Sequence, residues 1–293
     1  MTLVINGGEG KNRYEAFDGV GTVTINGGVD DEVIVGGANV GTGNLNGGAG
    51  DDVVYGSGDA DAMTPGTLDL NVDLGDGNDK FYGGEGGATE DVIGGLGNDL
   101  ILGGLGFTTA KAYGDQDNTG NQLQDPDNLL EGGDDIIDFQ DGSTSIYGYG
   151  GAGNDKIVGG LHTMQAQFFG GFGDDKIWLI NPEQRGMETH DGSANPTKAY
   201  GEWGNDVIYA TDEIDNLYGD LMTVINTADA FVGGDDVIFG YGGADLIDGG
   251  AGNDFLDGGD DNDTITGRVG DDKIFGQAGD DTIYGDTPDA DGS

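Results

Sequence analysis

Residues Gly249 to Asp257 read GGAGNDFLD, and variants of that string recur along almost the whole chain. Full copies are GGAGDDVVY (Gly47 to Tyr55), GGLGNDLIL (Gly94 to Leu102), GGAGNDKIV (Gly150 to Val158) and GGFGDDKIW (Gly170 to Trp178). Looser copies keep the register at Gly27 to Val35, Gly75 to Tyr82, Gly201 to Tyr209, Gly240 to Asp248, Gly258 to Thr266, Gly267 to Phe275 and Gly276 to Tyr284. Self-similarity at a short fixed period marks a repeat architecture. Each coil then needs only one or two inward side chains, because its neighbours supply the rest of the burial.

The composition suits such a solenoid better than a helix-rich core. Glycine fills 64 of 293 positions and the hydrophobic fraction is 35%, and each glycine costs about 1 kcal/mol in a helix interior. The apolar positions show no 3.6 period, so short strands of the form x-U-x between glycine turns are expected, with U a large apolar residue. Position eight of each repeat (Ile101, Ile157, Ile177, Ile208, Ile247, Leu256, Ile265, Ile274, Ile283) should point inward and positions seven and nine outward.

Acidic residues number 56 against 10 basic ones, for a formal charge of -46 and a pI near 4.1. That self-repulsion opposes any compact state. Nucleic acid is excluded as a partner, since no basic stripe exists to meet phosphate. A halophile's solvated surface or an acidic tail would scatter or block its carboxylates, whereas here Asp and Asn concentrate at positions five and six. The absence of cysteine excludes disulfides and thiolate metal sites and leaves hard oxygen ligands. The start, MTLVINGGEGKN, has neither a basic n-region nor a long apolar run, so no signal peptide or transmembrane segment is expected.

Three regions are expected. Residues 1–48 are degenerate N-terminal coils, in which Ile5-Asn6-Gly7-Gly8, Ile25-Asn26-Gly27-Gly28 and Leu45-Asn46-Gly47-Gly48 recur at twenty-residue steps. Residues 49–232 are repeats interrupted by loops at about Gly56 to Leu74, Phe107 to Glu131, Leu161 to Phe168, Leu179 to Ala199 and Leu221 to Val232, placed at the turns by their Pro, Asn, Thr and Asp content. Residues 233–293 are the most regular repeats, with a short acidic tail. Two insertions share a frame: Tyr113-Gly114-Asp115 leads to Gly132-Gly133-Asp134-Asp135, and Tyr218-Gly219-Asp220 leads to Gly233-Gly234-Asp235-Asp236. A third frame opens at Tyr284-Gly285-Asp286 without closing, so the natural sequence is expected to continue.

Glycines at positions one, two and four let the backbone take positive φ and bring several carbonyl oxygens to one point. The aspartate at position six adds a carboxylate. Calcium takes 6–8 oxygen ligands at about 2.3–2.6 Å, more than one turn supplies, so an ion is expected between the turns of successive coils, and octahedral magnesium should substitute badly. Burying each position-eight side chain gains only about 1.5–3 kcal/mol, against about 1–2 kcal/mol of backbone entropy for each of nine residues. Metal binding is expected to supply much of the difference, leaving a largely disordered chain without calcium.

These motifs resemble the repeats-in-toxin (RTX) family of hemolysin-type calcium-binding nonapeptide repeat proteins, and the likeness covers most positions from Gly27 to Gly285. The resemblance implies an all-β parallel β-roll, several Ca2+ ions between turns, and one-step (type I) secretion in unfolded form. It also implies carboxylate ligands at Asp52, Asp79, Asp99, Asp135, Asp155, Asp175, Asp206, Asp236, Asp245, Asp254, Asp263, Asp272 and Asp281. The glycines of the same turns are Gly48, Gly50, Gly95, Gly97, Gly151, Gly153, Gly171, Gly173, Gly250, Gly252, Gly270 and Gly279. Some of the aspartates could instead close Asx-turns. The non-repetitive C-terminal segment usual in the family is missing, which bears on whether this piece is secreted alone.

Enzyme motifs are lacking: no His-Glu-x-x-His, G-x-S-x-G or phosphate loop, and the histidines, His162 and His190, fall in insertions. No catalytic role is expected. Aromatics recur at position nine (Tyr55, Tyr82, Tyr147, Trp178, Tyr209, Tyr218, Phe239, Phe275, Tyr284), either stacking along the sheet or forming a stripe for another chain or a glycan. Both ends look uncapped, which suggests copies joined end to end. Ice binding would want flat ladders of Thr at one repeat position, and the repeat carries none. The expectation is a parallel β-roll with about eighteen residues per regular coil and about 4.8 Å between coils, serving as an extracellular or cell-surface structural protein that binds calcium. The runner-up is a module aiding secretion and folding of a larger toxin, protease or lipase.

Overall fold

In the computed structural model, the described residues are 1–16, 19, 21–37, 40–56, 69–115, 132–140, 143–160, 165–183, 196–220 and 233–285. His162, His190, Asp286 and half or more of each expected insertion lie outside them. Every regular element among the described residues is a β-strand, and the chain divides into two compact units between Thr163 and Met164.

The first unit contains β1 (Thr2–Asn6), β2 (Arg13–Glu15), β3 (Thr22–Gly28), β4 (Val33–Val35), β5 (Thr42–Ala49), β6 (Val53–Tyr55), β7 (Asp69–Asp76), β8 (Lys80–Tyr82), β9 (Glu85–Leu96), β10 (Leu100–Leu102), β11 (Leu105–Tyr113), β12 (Ile136–Asp138), β13 (Ser145–Ala152) and β14 (Lys156–Val158). The second contains β15 (Gln165–Phe172), β16 (Lys176–Trp178), β17 (Thr197–Trp203), β18 (Val207–Tyr209), β19 (Asp215–Tyr218), β20 (Val237–Phe239), β21 (Leu246–Ala251), β22 (Phe255–Asp260), β23 (Thr264–Val269), β24 (Lys273–Ala278) and β25 (Thr282–Tyr284). Within each unit the odd strands form one parallel sheet in sequence order and the even strands another. Each coil therefore contributes one strand to each sheet, which is the arrangement of a parallel β-roll.

Period-two alternation sorts the side chains. From the odd sheet of the first unit, Val23, Ile25, Leu45, Leu70 and Val72 face inward; from its even sheet, Ile34, Val54, Phe81, Ile101 and Ile157 meet them, all at most 3% exposed. In the second unit Phe168, Leu217, Ile247 and Ile265 face Ile177, Ile208, Ile238 and Leu256 in the same way. The expected inward column holds until its last members: Ile274 is half-buried and Ile283 is 47% exposed, because β24 and β25 are the last strands of their sheets among the described residues. One inward position carries a carboxylate. Glu90 stands in register between Leu70 and Ala110, and its Oε2 accepts the Gly104 N–H at 2.8 Å.

The eighteen residues expected of a regular coil are found in the regular C-terminal part, and the earlier coils are longer. Eighteen-residue steps hold in the C-terminal coils, as between Asp236 and Asp254, whereas twenty is common earlier, as between Asp79 and Asp99. Insertions stretch single coils to 36 residues between Asp99 and Asp135 and 31 between Asp175 and Asp206. The insertions are also shorter than expected: Asp69 to Leu74 belongs to β7, Phe107 to Tyr113 to β11, Gln165 to Phe168 to β15, and Thr197 to Ala199 to β17. These stretches alternate apolar and polar residues without the nonapeptide glycines, so the repeat template passes over them.

The register also aligns residues that the nonapeptide does not contain. Parallel pairing places Thr2, Thr22 and Thr42 in one outward file, then Asp69, Thr89, Thr109 and Ser145. A threonine ladder therefore exists on the odd sheet of the first unit, broken by the Asp69 carboxylate. It lies outside the nonapeptide register, at steps of 20 and 27 residues, and so is invisible to a search at one repeat position.

Candidate metal centre

The repeat's glycines divide into two kinds. Positions two and four take left-handed φ, as at Gly48 and Gly50 (112° and 111°), Gly95 and Gly97 (114° and 116°), Gly151 and Gly153 (123° and 132°), Gly171 and Gly173 (115° and 129°), and Gly250 and Gly252 (108° and 141°). Gly270 and Gly279, at position four of their repeats, take 143° and 156°. Position one was expected to share this conformation, and it does not: Gly47, Gly94, Gly150, Gly170 and Gly249 have ordinary φ. Those glycines are small for packing reasons. A Cβ built on Gly94 would fall on Oδ2 of Asp99 and lie 2.6 Å from the carbonyl oxygen of Gly114 in the next coil; Gly170 meets Asp175 Oδ2 and Gly201 O at 2.6 Å, and Gly201 meets Asp206 Oδ2 and Gly219 O at 2.7 Å. Position one is thus a gap ringed by a carboxylate and a carbonyl oxygen from adjacent coils.

The position-six aspartates line up along the odd-to-even turns. Each offers Oδ1 to the backbone N–H of its counterpart one coil earlier: Asp79 accepts from Asp52 (2.6 Å), Asp99 from Asp79 (2.8 Å), Asp135 from Asp99 (2.7 Å) and Asp155 from Asp135 (2.8 Å). In the second unit Asp206 accepts from Asp175 (2.8 Å), Asp236 from Asp206 (2.8 Å), Asp254 from Asp236 (2.9 Å) and Asp272 from Asp254 (3.0 Å). A second row forms there on the even-to-odd turns, where Asp245 accepts from Asp215, Asp263 from Asp245 and Asp281 from Asp263. All thirteen expected aspartates therefore lie in the two rows. Eleven are buried, while Asp272 and Asp281, on the last coils, are half-buried.

One oxygen of each carboxylate is thereby used, and the other is the chemically informative one. Oδ2 of Asp52, Asp79, Asp99, Asp135, Asp206, Asp236, Asp245, Asp254 and Asp263 is buried with no hydrogen-bond partner, a costly state for a charged group unless a cation compensates it. Burial foremost, aided by like-charged neighbours, pushes Asp52 up to about 7, Asp99 and Asp155 to about 8, Asp236 and Asp245 to about 9 and Asp135 to about 10. Such carboxylates need a proton or a cation. Among the described residues no three acidic or imidazole groups converge as a ready cage, so an ion here would draw on turn carbonyls beside the carboxylates. Calcium, which accepts carboxylate and carbonyl oxygens in flexible number, fits this donor set; bound there, it would neutralise the rows and tie successive coils.

Four buried acids of these turns were not among the expected ligands. Glu32 holds position six of the Gly27 copy and passes its N–H to Asp52 Oδ1 at 2.6 Å. Asp215 opens the second row from a turn, ATDEID, that contains no glycine; only its spacing from Leu217 betrays it. Asp115 and Asp220 stand at position two, ahead of the two framed insertions. Sequence reasoning also missed an outer row running the opposite way. There the position-five side chain accepts from the following coil, as Asn98 does from Asp134 N–H at 2.9 Å and Asp235 from Asn253 N–H at 2.7 Å.

Six of the nine position-nine aromatics (Tyr55, Tyr82, Trp178, Tyr209, Tyr218 and Phe239) stack, while Phe275 is only tilted against Phe255, and they fall on two sheets because alternate nonapeptides lie on opposite faces of the roll; on the odd sheet the stacks include aromatics outside that position. Tyr55 stacks on Tyr82 at 5.1 Å, and Trp178, Tyr209 and Phe239 form a file at 5.2 and 5.5 Å on the even sheet. On the odd sheet Tyr218 stacks on Tyr200 at 4.8 Å, Tyr200 on Phe169 at 4.7 Å, and Tyr113 on Tyr149 at 5.4 Å.

Compared with known protein families, the sequence matches the model of the RTX calcium-binding nonapeptide repeat at residues 38–67, 72–90, 91–109, 149–161, 200–221, 232–256 and 257–287, more than half of the chain. No curated protein and no solved structure matches it.

Proposed function

The chain belongs to the RTX calcium-binding nonapeptide repeat family, and from that premise we propose that it is an extracellular structural protein whose β-roll is assembled by calcium and which acts by binding, not by turnover. The observation that carries the reading is the rows of buried aspartates, nine of which, Asp99 and Asp236 among them, keep one buried oxygen without a hydrogen-bond partner. Anions buried in successive coils from Glu32 onward, in a chain of formal charge -46, oppose folding until a divalent cation joins them. Calcium-rich surroundings outside the cell would supply that cation, and a polypeptide that stays unfolded until then suits export in unfolded form. A structural or surface-assembly role is supported by how much of the chain the coils occupy and by the aromatic files on both sheets.

The test is a calcium titration of chelator-treated protein followed by far-UV circular dichroism, with electron microscopy of the same samples. Expected at pH 9, where the buried carboxylates are largely unprotonated, are a disordered spectrum in chelator, a cooperative rise of β-signal with calcium, and ordered assemblies only in the calcium samples. Full β-structure in excess chelator would overturn calcium-driven folding. A catalytic domain in the same polypeptide would reassign the coils to an accessory role.

A further inference from the structure

Two turns of the roll break the glycine rule in the same way. At position two, where Gly48, Gly95 and Gly171 take left-handed φ, the chain has Asp115 in the first unit and Asp220 in the second, each followed by an insertion before positions three to six resume at Gly132-Gly133-Asp134-Asp135 and Gly233-Gly234-Asp235-Asp236. The cradle around the two is the same. The backbone N–H of Asp115 donates to Gly150 O at 3.0 Å, and its Oδ2 accepts the N–H of Ala152 at 2.9 Å and of Gly133 at 3.3 Å. The N–H of Asp220 donates to Gly249 O at 3.3 Å, and its Oδ2 accepts the N–H of Ala251 at 2.7 Å. Both carboxylates rest against a left-handed glycine of the following coil, Gly151 and Gly250, where a Cβ would come within 2.6 Å and 2.7 Å of the aspartate Cβ.

In both, the other oxygen has nowhere to go. Asp115 is 3% exposed and Asp220 5%, and Oδ1 of each is buried without a partner. An aspartate that merely capped the rims of an insertion would need one oxygen inside and could leave the other in water. Here the second oxygen is held in the turn, next to a position-six carboxylate whose Oδ2 is likewise unpartnered: Asp135 Oδ2 sits over Gly114, the residue before Asp115, and Asp236 Oδ2 sits over Gly219, the residue before Asp220. Each of these turns therefore brings two buried carboxylates where the regular repeat brings one; the Gly201 copy also has an acid at position two, Glu202, but that side chain is only half-buried. Ligand charge is what tunes calcium affinity at otherwise similar oxygen sites.

We infer that Asp115 and Asp220 are additional cation ligands that make their two turns the tightest divalent-cation sites of the chain, one in each unit, filled before the regular turns. The inference rests on the calcium-binding reading of the turns and adds to it which turns bind first and through which residues. Because a first ion at Asp115 also joins the backbone before the insertion (Gly114) to that after it (Gly133, Asp135), it closes the coil with the 36-residue step early.

Isothermal titration of the full-length, chelator-stripped protein with calcium chloride tests this, using Asp115→Asn, Asp220→Asn and the double variant. Asparagine keeps an acceptor for the Ala152 or Ala251 N–H and removes the charge. The wild type should show two tight sites ahead of a weaker class. Each single variant should lose one of them, its affinity falling about 10- to 100-fold, and the double variant both, with the weaker class and the final circular dichroism spectrum in saturating calcium unchanged. Should an asparagine variant fail to fold in saturating calcium, Asp115→Gly and Asp220→Gly, which restore the repeat's own residue, take its place with the same expectation. Retention of both tight sites at wild-type affinity in the double variant, or a wild-type titration with a single class of sites, would overturn the inference while leaving calcium binding intact. A wild type that takes up no calcium would instead overturn the reading on which it rests.

Discussion

Within one turn, each residue is selected for a different physical reason, and substitutions should separate them. Gly97 is needed for its φ of 116° and because a Cβ there would strike Gly77 O. Gly97→Ala is therefore expected to cost about 2 kcal/mol or more, read as a lower melting temperature in saturating calcium. Gln277 stands at a position-two site with φ of 66°, where a side chain costs about 1–2 kcal/mol. Gln277→Gly relieves that strain but adds about 0.5–1 kcal/mol of unfolded-state entropy, so a net gain of under about 1 kcal/mol is expected in the same melt. The contrast between neighbours is sharper still. Asp99→Ala removes a carboxylate 3% exposed that binds the Asp79 N–H, whereas Asn98 belongs to the exposed outer row. Calcium-saturated denaturant melts should show a loss of about 3 kcal/mol for the first and under about 1 kcal/mol for Asn98→Ala.

Strands and files are stabilised by neighbours one coil away, so the energetic unit is the stack. Tyr209 is sandwiched between Trp178 and Phe239 with interplanar angles of 11° and 8°. Loss of two such pairs, at about 0.5–1.5 kcal/mol each, should make Tyr209→Ser destabilising by about 1–3 kcal/mol in a calcium-saturated melt. If the file also serves as a contact stripe, the same variant should weaken particle association in sedimentation without abolishing calcium-induced folding. The strands that a nonapeptide template passes over, β7 and β11 among them, show why the template is insufficient at this scale. Their residues need only alternate, since pairing with a neighbouring strand fixes their place.

Across the whole molecule, charge sets the conditions under which the coils exist. Burial raises Asp115 to about 7, and burial helped by like charges raises Asp79 and Asp220 to about 6, Asp52 to about 7, Asp99 to about 8 and Asp135 to about 10, while an unfolded aspartate titrates near about 4. Between those values the metal-free folded chain holds more protons than the unfolded one. Its stability is thus greatest below about pH 4 and is lost as pH rises through the folded values. In chelator, the β-signal in circular dichroism should fall steadily from pH 5 to pH 9, and saturating calcium should abolish that fall by taking the place of the protons. A metal-free signal that grows with pH would contradict the burial of these rows.

The sequence by itself determined the fold class, the glycine turns and the placing of the position-six aspartates in them, because G-G-x-G-x-D-x-U-x encodes backbone freedom, a carboxylate and one inward side chain in consecutive residues. Only the tertiary structure decided what depends on alignment between coils. It set which sheet each nonapeptide joins, which oxygen of aspartates such as Asp99 and Asp236 is left unpartnered, where the threonine file runs, that Glu32 and Asp215 join the rows, and that Asp115 and Asp220 lie beside them. These residues are separated by 18 to 36 positions, and insertions of unequal length hide their register until parallel hydrogen bonding restores it.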